Sequence, residues 1–491
     1  MTILFIARHF TYFRNFDSVV EALARRGHRL HLAADRDDAQ GGRALVDRLA
    51  AQYPSVTVGT TPIRDWGRYR RVSQALRLGL DYLRYSDARF AAMPKIRQRA
   101  YERTPAFILA LARLPGRRLL ARVLAWLEEA VPRQAGVDDF VRDGRADVVL
   151  VTPLIELGSP QLDYVRAARA QGVRTGLAVW SWDHLSSKAL IRVAPDVLLV
   201  WNETQRGEAE RFHGIGPDRV IVTGAQCFDR WFDRSPSRDR AAFCRRAGLP
   251  DDGPFILYVC SALFRGSRPE AAFVRAWAAA IRASNAPELA GVRLLIRPHP
   301  QRLEEWADGA GVEGATVWGS TPTDEEGRAD YFDSLFHSGA VVGLNTSALV
   351  EAAIVDRPVF TVLLPEYHEN QEGTYHFHHL MTVGEGCLTV SRSLDEHVAQ
   401  LAAWARGVPT RSTRPFVERF IRPRGIATPA TAAFVAAVET MGARPAPPPR
   451  RAPAWVYLLR PVVYALVLAG RIPFLERIYW NPAKFRQLAS V

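Results

Sequence analysis

The chain has little that would hold it together covalently. Its 491 residues include four cysteines, Cys227, Cys244, Cys260 and Cys387, and none forms a C-x-x-C pair. That excludes a disulfide scaffold and a zinc ribbon, and it fits a reducing compartment. No apolar run is long enough to span a bilayer. The longest, Trp455 to Ala469, is interrupted by Arg460-Pro461 and falls short of the ~20 residues required. The N-terminus opens directly into Ile3-Leu4-Phe5-Ile6-Ala7, without the basic region, apolar stretch and cleavage site of a secretory signal. Lysine is nearly absent, three residues against 61 arginines, which reads as a codon bias. No helix-turn-helix, zinc-finger or RNA-binding motif occurs, so no nucleic-acid partner is expected.

What is present fits an enzyme-sized globular protein. Hydrophobic residues make up 48% and charged residues 23% of the chain, which excludes disorder and a coiled coil. At ~150 residues per domain the length suggests two large domains or three units. The net charge of +13 is segregated. Arg64–Arg122 carries +11 and Gly442–Val491 carries +7, so the remaining chain is mildly acidic at −5. Both basic segments interleave arginine with aromatics: Trp66, Tyr69, Tyr82, Tyr85, Tyr101 and Phe107 in the first, Trp455, Tyr457, Tyr464, Phe474, Tyr479 and Trp480 in the second. Such segments suit an anionic membrane surface. The sequence therefore predicts a cytoplasmic protein, peripheral on the inner face of the cell membrane. A solvated basic face, and a tail packed on the protein's own surface, are the plainer alternatives.

Apolar runs and helical periodicity alternate along the chain. Strands are predicted at Ile3–Ala7, Leu30–Ala34, Val148–Val151, Leu177–Trp180, Val197–Trp201 and Val220–Thr223, with helices at Phe16–Arg26 and Asp163–Gln171. After a polar stretch over Arg234–Gly253 a second series begins. Its strands are Phe255–Cys260, Val292–Ile296, Thr316–Trp318, Ala340–Leu344 and Val359–Leu364. Its helices are Glu270–Ala283, Ser347–Val355, Leu394–Arg406 and Thr431–Met441. Strand–helix alternation implies parallel, doubly wound sheets, and no G-x-G-x-x-G follows the first strand. The predicted fold class is α/β with two Rossmann-like domains facing across a cleft: residues 1–240, with an Arg-rich helical insertion at 64–133, and residues 250–441. A proline-rich linker and membrane-interface tail occupy 442–491.

Ligands of such sheets bind at the strands' carboxyl ends, and the chemistry-bearing residues are concentrated there. Arg297-Pro298-His299-Pro300 follows a strand and would project a cation and an imidazole towards an anionic group such as a diphosphate. Asn345-Thr346-Ser347 opens a helix, where short polar side chains cap it and leave N–H groups for a phosphate. Glu351 follows one turn on and would hold ribose hydroxyls. In the first half, Arg8-His9 ends the first strand, and His9 is a candidate general base for an acceptor hydroxyl. Asp183, in Trp182-Asp183-His184, is the rival base, with Lys188 close by in sequence. Glu372 and His376 lie in a His-rich loop after Val359–Leu364 and are candidate donor or acceptor contacts. The histidine spacing matches no zinc pattern, so no metal is predicted.

Taken together, Arg-Pro-His-Pro after a strand, Asn-Thr-Ser-x-x-x-Glu-Ala and Arg357-Pro358 before a strand resemble the donor-binding domain of GT-B glycosyltransferases. The likeness is to bacterial envelope and capsule polysaccharide transferases and to CDP-glycerol glycerophosphotransferases, and it extends over roughly residues 1–440. Arg25-Arg26-Gly27-His28 is similar to the first unit of many GT-B enzymes. The sialyl-type acidic motif of the N-terminal half has no counterpart there. The sequence has Asp324-Glu325-Glu326-Gly327 in the other half. The resemblance implies transfer of a sugar, or a similar unit, from a nucleotide-sugar donor to a lipid-linked or glycan acceptor. Arg297, His299, Asn345, Thr346 and Ser347 would hold the nucleotide, with no cofactor. Nucleotide-sugar 2-epimerases share the fold and are the first rival reading; a binding or scaffold protein without activity is the second.

Overall fold

The computed structural model describes residues 1–472 apart from 38–40, 63–66, 92, 265, 308–310, 320 and 323. Its contacts divide the chain into two units. One is Met1–Cys227 joined by the chain from Pro429; the other is Phe228–Thr428.

The first unit is built on seven strands: β1 (Thr2–His9), β2 (Arg29–Arg36), β3 (Val56–Thr60), β4 (Val148–Thr152), β5 (Arg174–Ala178), β6 (Val197–Val200) and β7 (Val220–Val222). They lie in the order β3-β2-β1-β4-β5-β6-β7, and every pairing is parallel. The order reverses between β1 and β4, which opens a crevice at their carboxyl ends. Helices cover both faces, so β4 is buried at all five residues and reads as an unbroken apolar run. The helix Asp17–Arg25 turns Val19, Val20, Leu23 and Ala24 into the core, and Gly27, at φ 79°, takes the left-handed turn that ends it.

The second unit repeats the plan with β8 (Phe255–Val259), β9 (Arg293–Arg297), β10 (Ala315–Val317), β11 (Ala340–Val342), β12 (Val359–Val362) and β13 (Leu388–Ser391). Their order is β10-β9-β8-β11-β12-β13, again parallel throughout, with the reversal between β8 and β11. The two-sheet α/β architecture is the predicted one. Two strands were not predicted. Both are edge strands, β3 of the first sheet and β13 of the second, and both are short, half-buried and polar at alternate residues.

The division of the chain differs from the predicted one. The last long helix, Ala430–Ala443, was expected in the second domain, but its Phe434, Val435, Val438 and Met441 sit in the core of the first. The first unit therefore ends at Cys227, near the predicted 240, and is completed from Pro429 onward.

Between β3 and β4 lies the predicted Arg-rich insertion, as the helices Arg70–Tyr85, Pro94–Arg103, Ala106–Leu111 and Arg117–Ala130. It has its own apolar core around Leu76, Leu80, Ile108 and Leu124. Part of its charge is internal. Arg77 is buried and donates to Glu128 (2.8 Å) and Asp163 (2.6 Å), and Arg166 donates to Glu128 (2.6 Å). Burial opposes ionisation of Glu128, yet Arg166 and Arg77 bring its pKa down to about 2.

The tail is not a detached anchor. Helix Arg460–Ala469 carries Pro461 in its first turn, where proline is tolerated. Val463 and Val467, one turn apart, are buried with Val456 against the insertion's core. The proline-rich segment is pinned along the first unit. Pro445 accepts from Arg174 (2.7 Å) and the Arg450 N–H donates to the Arg169 carbonyl (2.8 Å). Residues 473–491, with Phe474, Tyr479 and Trp480, and Trp66 in the insertion, lie outside the described residues. No described helix is long and apolar enough to cross a membrane.

Candidate active site

At the reversal point of the first sheet, adjacent residues of one strand leave on opposite faces. Arg8 pairs with Glu156 in the loop after β4, while the His9 ring lies 4.4 Å from that of Tyr12. Tyr12 joins the two. Its hydroxyl reaches Glu156 (3.4 Å) and its ring meets Trp180 edge-on at 5.0 Å. Asp183, beyond β5, lies within electrostatic reach of Tyr12. The structure thus brings Arg8, His9, Asp183 and Lys188 to one sheet edge. Asp183 is heavily engaged: Lys188 Nζ lies 2.7 Å away, and the hydroxyls of Ser181 and Ser187 both donate to it. His184 is buried and its pKa is pushed down to about 3 by desolvation, so the neutral ring donates Nε2–H to the Pro153 carbonyl (2.7 Å).

Two carboxyls at this edge escaped the sequence reading. Glu156 carries no motif around it. Asp35, at the end of β2, is buried, and burial raises its pKa to about 7 while Thr61 Oγ1 donates to it at 2.7 Å. Its position one residue before a strand's end was the only available signal.

In the second unit Arg297 does not project towards a ligand as predicted. It is the last residue of β9 and points to the face opposite Leu294 and Ile296, which lie in the core. On that face its guanidinium rests between Trp318 and Tyr331, 5.3 Å from each ring centroid. It is only 5% exposed, and burial lowers its pKa. Gly319 comes so close that a Cβ there would stand 2.5 Å from the guanidinium carbon. Tyr331 in turn donates its hydroxyl to Glu351, whose pKa burial raises to about 7. Only one carboxylate oxygen is taken in that bond.

His299 is half-buried just beyond β9. Its Nδ1 accepts the Gln301 N–H (3.1 Å), which leaves the proton on Nε2. Burial, then the charge of Arg302, lowers its pKa and so disfavours the charged ring, leaving Nε2–H as the donor. Ser347 does not cap the helix Ala348–Ile354 through its side chain; Thr346 Oγ1 accepts the Ala348 N–H at 3.4 Å. Ser347 is exposed.

Asn345 sits at the reversal point. Its N–H donates to Ser261 Oγ (3.1 Å), and its side-chain amide donates to the Asn370 carbonyl and to His376 Nε2 (3.4 Å). Behind Ser261 lies Glu270, also missed by the sequence reading. It is fully buried, accepts the Tyr258 hydroxyl (2.9 Å) and the Ser261 N–H, and its pKa rises to about 8 through burial. Buried Gln371 ties the chain below to the carbonyls of Leu344 and Val362. Glu372 does not join this group; it pairs with Arg392 (3.1 Å). The histidines of this loop are dispersed. His378 donates to the Glu372 carbonyl and His379 packs on Phe420. Among the described residues no three His, Cys, Asp or Glu side chains are placed to hold a metal ion. Asp324-Glu325-Glu326-Gly327 is a helix start, where Asp324 accepts the Gly327 N–H at 2.7 Å.

No family model matches the sequence, and no curated protein matches it either. Solved structures do match. A UDP-GlcNAc 2-epimerase from Neisseria meningitidis bound to UDP-GlcNAc is 10% identical over 89% of this chain and 100% of its own, with a TM-score of 0.52. MnaA of S. aureus, in a co-structure with UDP, is 11% identical over 89% and 96%, at 0.50. A glycosyltransferase from Rickettsia africae is 10% identical over 90% and 98%, at 0.49. The strand orders and the first two matches establish the GT-B type of fold, two Rossmann-like domains in one chain.

Proposed function

We propose that this chain is a metal-independent glycosyltransferase that moves a sugar, or a similar unit, from a nucleotide-activated donor to a membrane-associated acceptor in bacterial envelope polysaccharide or glycolipid synthesis. The observation that carries the reading is the polar set at the second sheet's reversal point. His299 offers Nε2–H, Thr346 and Ser347 offer hydroxyls, and Glu351 keeps one carboxylate oxygen for a ribose hydroxyl. Neutral donors fixed at the carboxyl ends of parallel strands stabilise negative charge as it builds on a leaving phosphate. Arg297 adds positive charge from within the unit. The nucleotide ligands named for the Neisseria and S. aureus proteins accord with this. In the first unit His9 takes the proton of the acceptor hydroxyl. Tyr12 positions its ring, and Asp183, already held by Lys188 and two serines, is the lesser candidate.

The membrane part of the reading rests on the surface of the first unit. Of the fifteen exposed large apolar side chains among the described residues, thirteen lie between Tyr101 and Trp126 or between Trp455 and Ile472. The two stretches touch, Trp126 meeting Trp455 edge-on at 5.3 Å. Exposed Arg113, Arg117, Arg118, Arg122 and Arg471 are interspersed. Aromatic and aliphatic tips among arginines fit the headgroup layer of an anionic membrane. A 2-epimerase acting on a soluble nucleotide sugar has no use for such a face, which favours transfer.

The epimerase reading has its own support in the Neisseria protein, and one experiment separates the two. Purified full-length protein is incubated with radiolabelled nucleotide sugars, with and without a bacterial lipid extract. Transfer predicts label in the lipid fraction only when lipid is added. Epimerisation predicts a C2-epimeric nucleotide sugar without lipid, and no change in either arm overturns both.

A further inference from the structure

On the first unit, away from the sheet's carboxyl edge, six arginines line one cavity: Arg133, Arg166, Arg169, Arg450, Arg451 and Arg460. Its volume is about 120 Å³, several times the ~10–15 Å³ that admits one water. Two of the six have carboxylates. Arg166 is bound by Glu128 (2.6 Å) and Glu129 (2.8 Å), and Arg133 faces Asp138 at 3.5 Å. Among the described residues the other four have no carboxylate within ion-pair distance.

The backbone holds these like charges together. The Arg450 N–H donates to the Arg169 carbonyl (2.8 Å). Arg169 is half-buried, and its pKa is lowered by burial and then by the charge of Arg450. Arg460 lies over the Tyr457 ring at 4.5 Å, which aligns its planar donors. Glu129 also lines the cavity, and its charge and that of Asp196 reach Arg169, but one lining carboxylate against six guanidiniums leaves an excess of positive charge that an anion would offset. Several guanidinium forks suit the tetrahedral oxygens of a phosphate better than a single carboxylate.

We propose that this cavity is a binding site for a phosphomonoester or diphosphate group, separate from the nucleotide site. Its place supports a lipid headgroup as the source. The cavity lies where the proline-rich segment enters helix Arg460–Ala469, whose Val462, Tyr464 and Leu468 are exposed. A headgroup phosphate in the cavity would leave acyl chains free to run along those side chains.

The test uses the full chain without nucleotide. Calorimetry measures inorganic pyrophosphate binding. Co-sedimentation compares phosphatidylcholine vesicles carrying phosphatidate with charge-matched vesicles carrying phosphatidylserine. The variants are R450Q/R451Q, in an extended segment, and R169Q. Both should weaken phosphate-group binding ~10-fold or more, while R113Q/R117Q, outside the cavity, should weaken both vesicle types alike. Binding of phosphatidate vesicles without pyrophosphate supports the site with a lipid source; binding of pyrophosphate without vesicles supports it with a free source. Equal binding to both vesicle types with no pyrophosphate binding overturns the site and leaves general membrane attachment standing. Equal affinity of wild type and R450Q/R451Q for pyrophosphate overturns it as well.

Discussion

At the carboxyl edge of the first sheet the polar groups come mostly as opposite charges, Arg8 with Glu156 and Lys188 with Asp183, beside the buried carboxyl of Asp35, whose pKa is raised to about 7. At the corresponding edge of the second sheet they are mostly neutral: His299 carries a lowered pKa, and the carboxyls of Glu351 and Glu270 are raised to about 7 and about 8. The same topology thus supports two kinds of electrostatics. A neutral, buried, hydrogen-bonded set is preorganised and brings no fixed anion to compete with an incoming phosphate. A paired and partly exposed set can exchange partners and protons, as an acceptor site requires.

The contrast breaks most sharply in the first unit's interior. Removing Arg77 leaves Asp163 without its buried cation and Glu128 with Arg166 alone, so R77L should cost about 3–5 kcal/mol. Denaturant unfolding should register that loss, and a cost under ~1 kcal/mol would mean that ion pairs do not hold this unit.

The raised carboxyls predict a pH dependence of the opposite kind. Asp35, Glu351 and Glu270 keep their protons in the folded chain to about pH 7, 7 and 8, whereas an unfolded carboxyl releases its proton near pH 4. Between those limits the unfolded state binds fewer protons, so stability falls as pH rises. Each group contributes a slope of at most ~1.4 kcal/mol per pH unit. Urea unfolding at pH 5, 6, 7 and 8 should follow that decline, and E270Q should flatten it; an unchanged slope in E270Q would contradict the assignment.

Smaller effects probe the second site alone. H299A and S347A should each weaken nucleotide binding by roughly 1.5–3 kcal/mol while leaving unfolding midpoints unchanged. Calorimetry measures both, and equal affinity in the two variants would remove these residues from the site. The smallest expected effect is none: if protein donors meet the diphosphate as proposed, turnover should survive EDTA. Loss in EDTA restored by one added metal would reverse that.

These comparisons also mark what was legible in the sequence. The α/β plan was, because strands buried on both faces are unbroken apolar runs such as β4 and β8. The short polar strands β3 and β13 were not, since only their neighbours in the sheet make them strands. The polar clusters do lie at the strand ends where the sequence put them, but side-chain direction was not foreseen. Arg297 turned inward because strand parity sends it to the face where Trp318 and Tyr331 wait. Glu270 and Asp35 had no local pattern, and their significance comes from burial. The tail's basic, aromatic character was plain, whereas the insertion of Val463 and Val467 into the first unit's helical layer depends on a groove formed by distant residues.

The central claim is that the second unit binds a nucleotide diphosphate or monophosphate. The most direct measurement is thermal unfolding of wild type and H299A with UDP, GDP, CMP, CDP and dTDP in turn. The account predicts that at least one nucleotide, at 100 times its Kd, stabilises the wild type by about 2.7 kcal/mol, and that H299A at the same concentration gains less. If none of the five shifts the wild-type transition, the claim is contradicted.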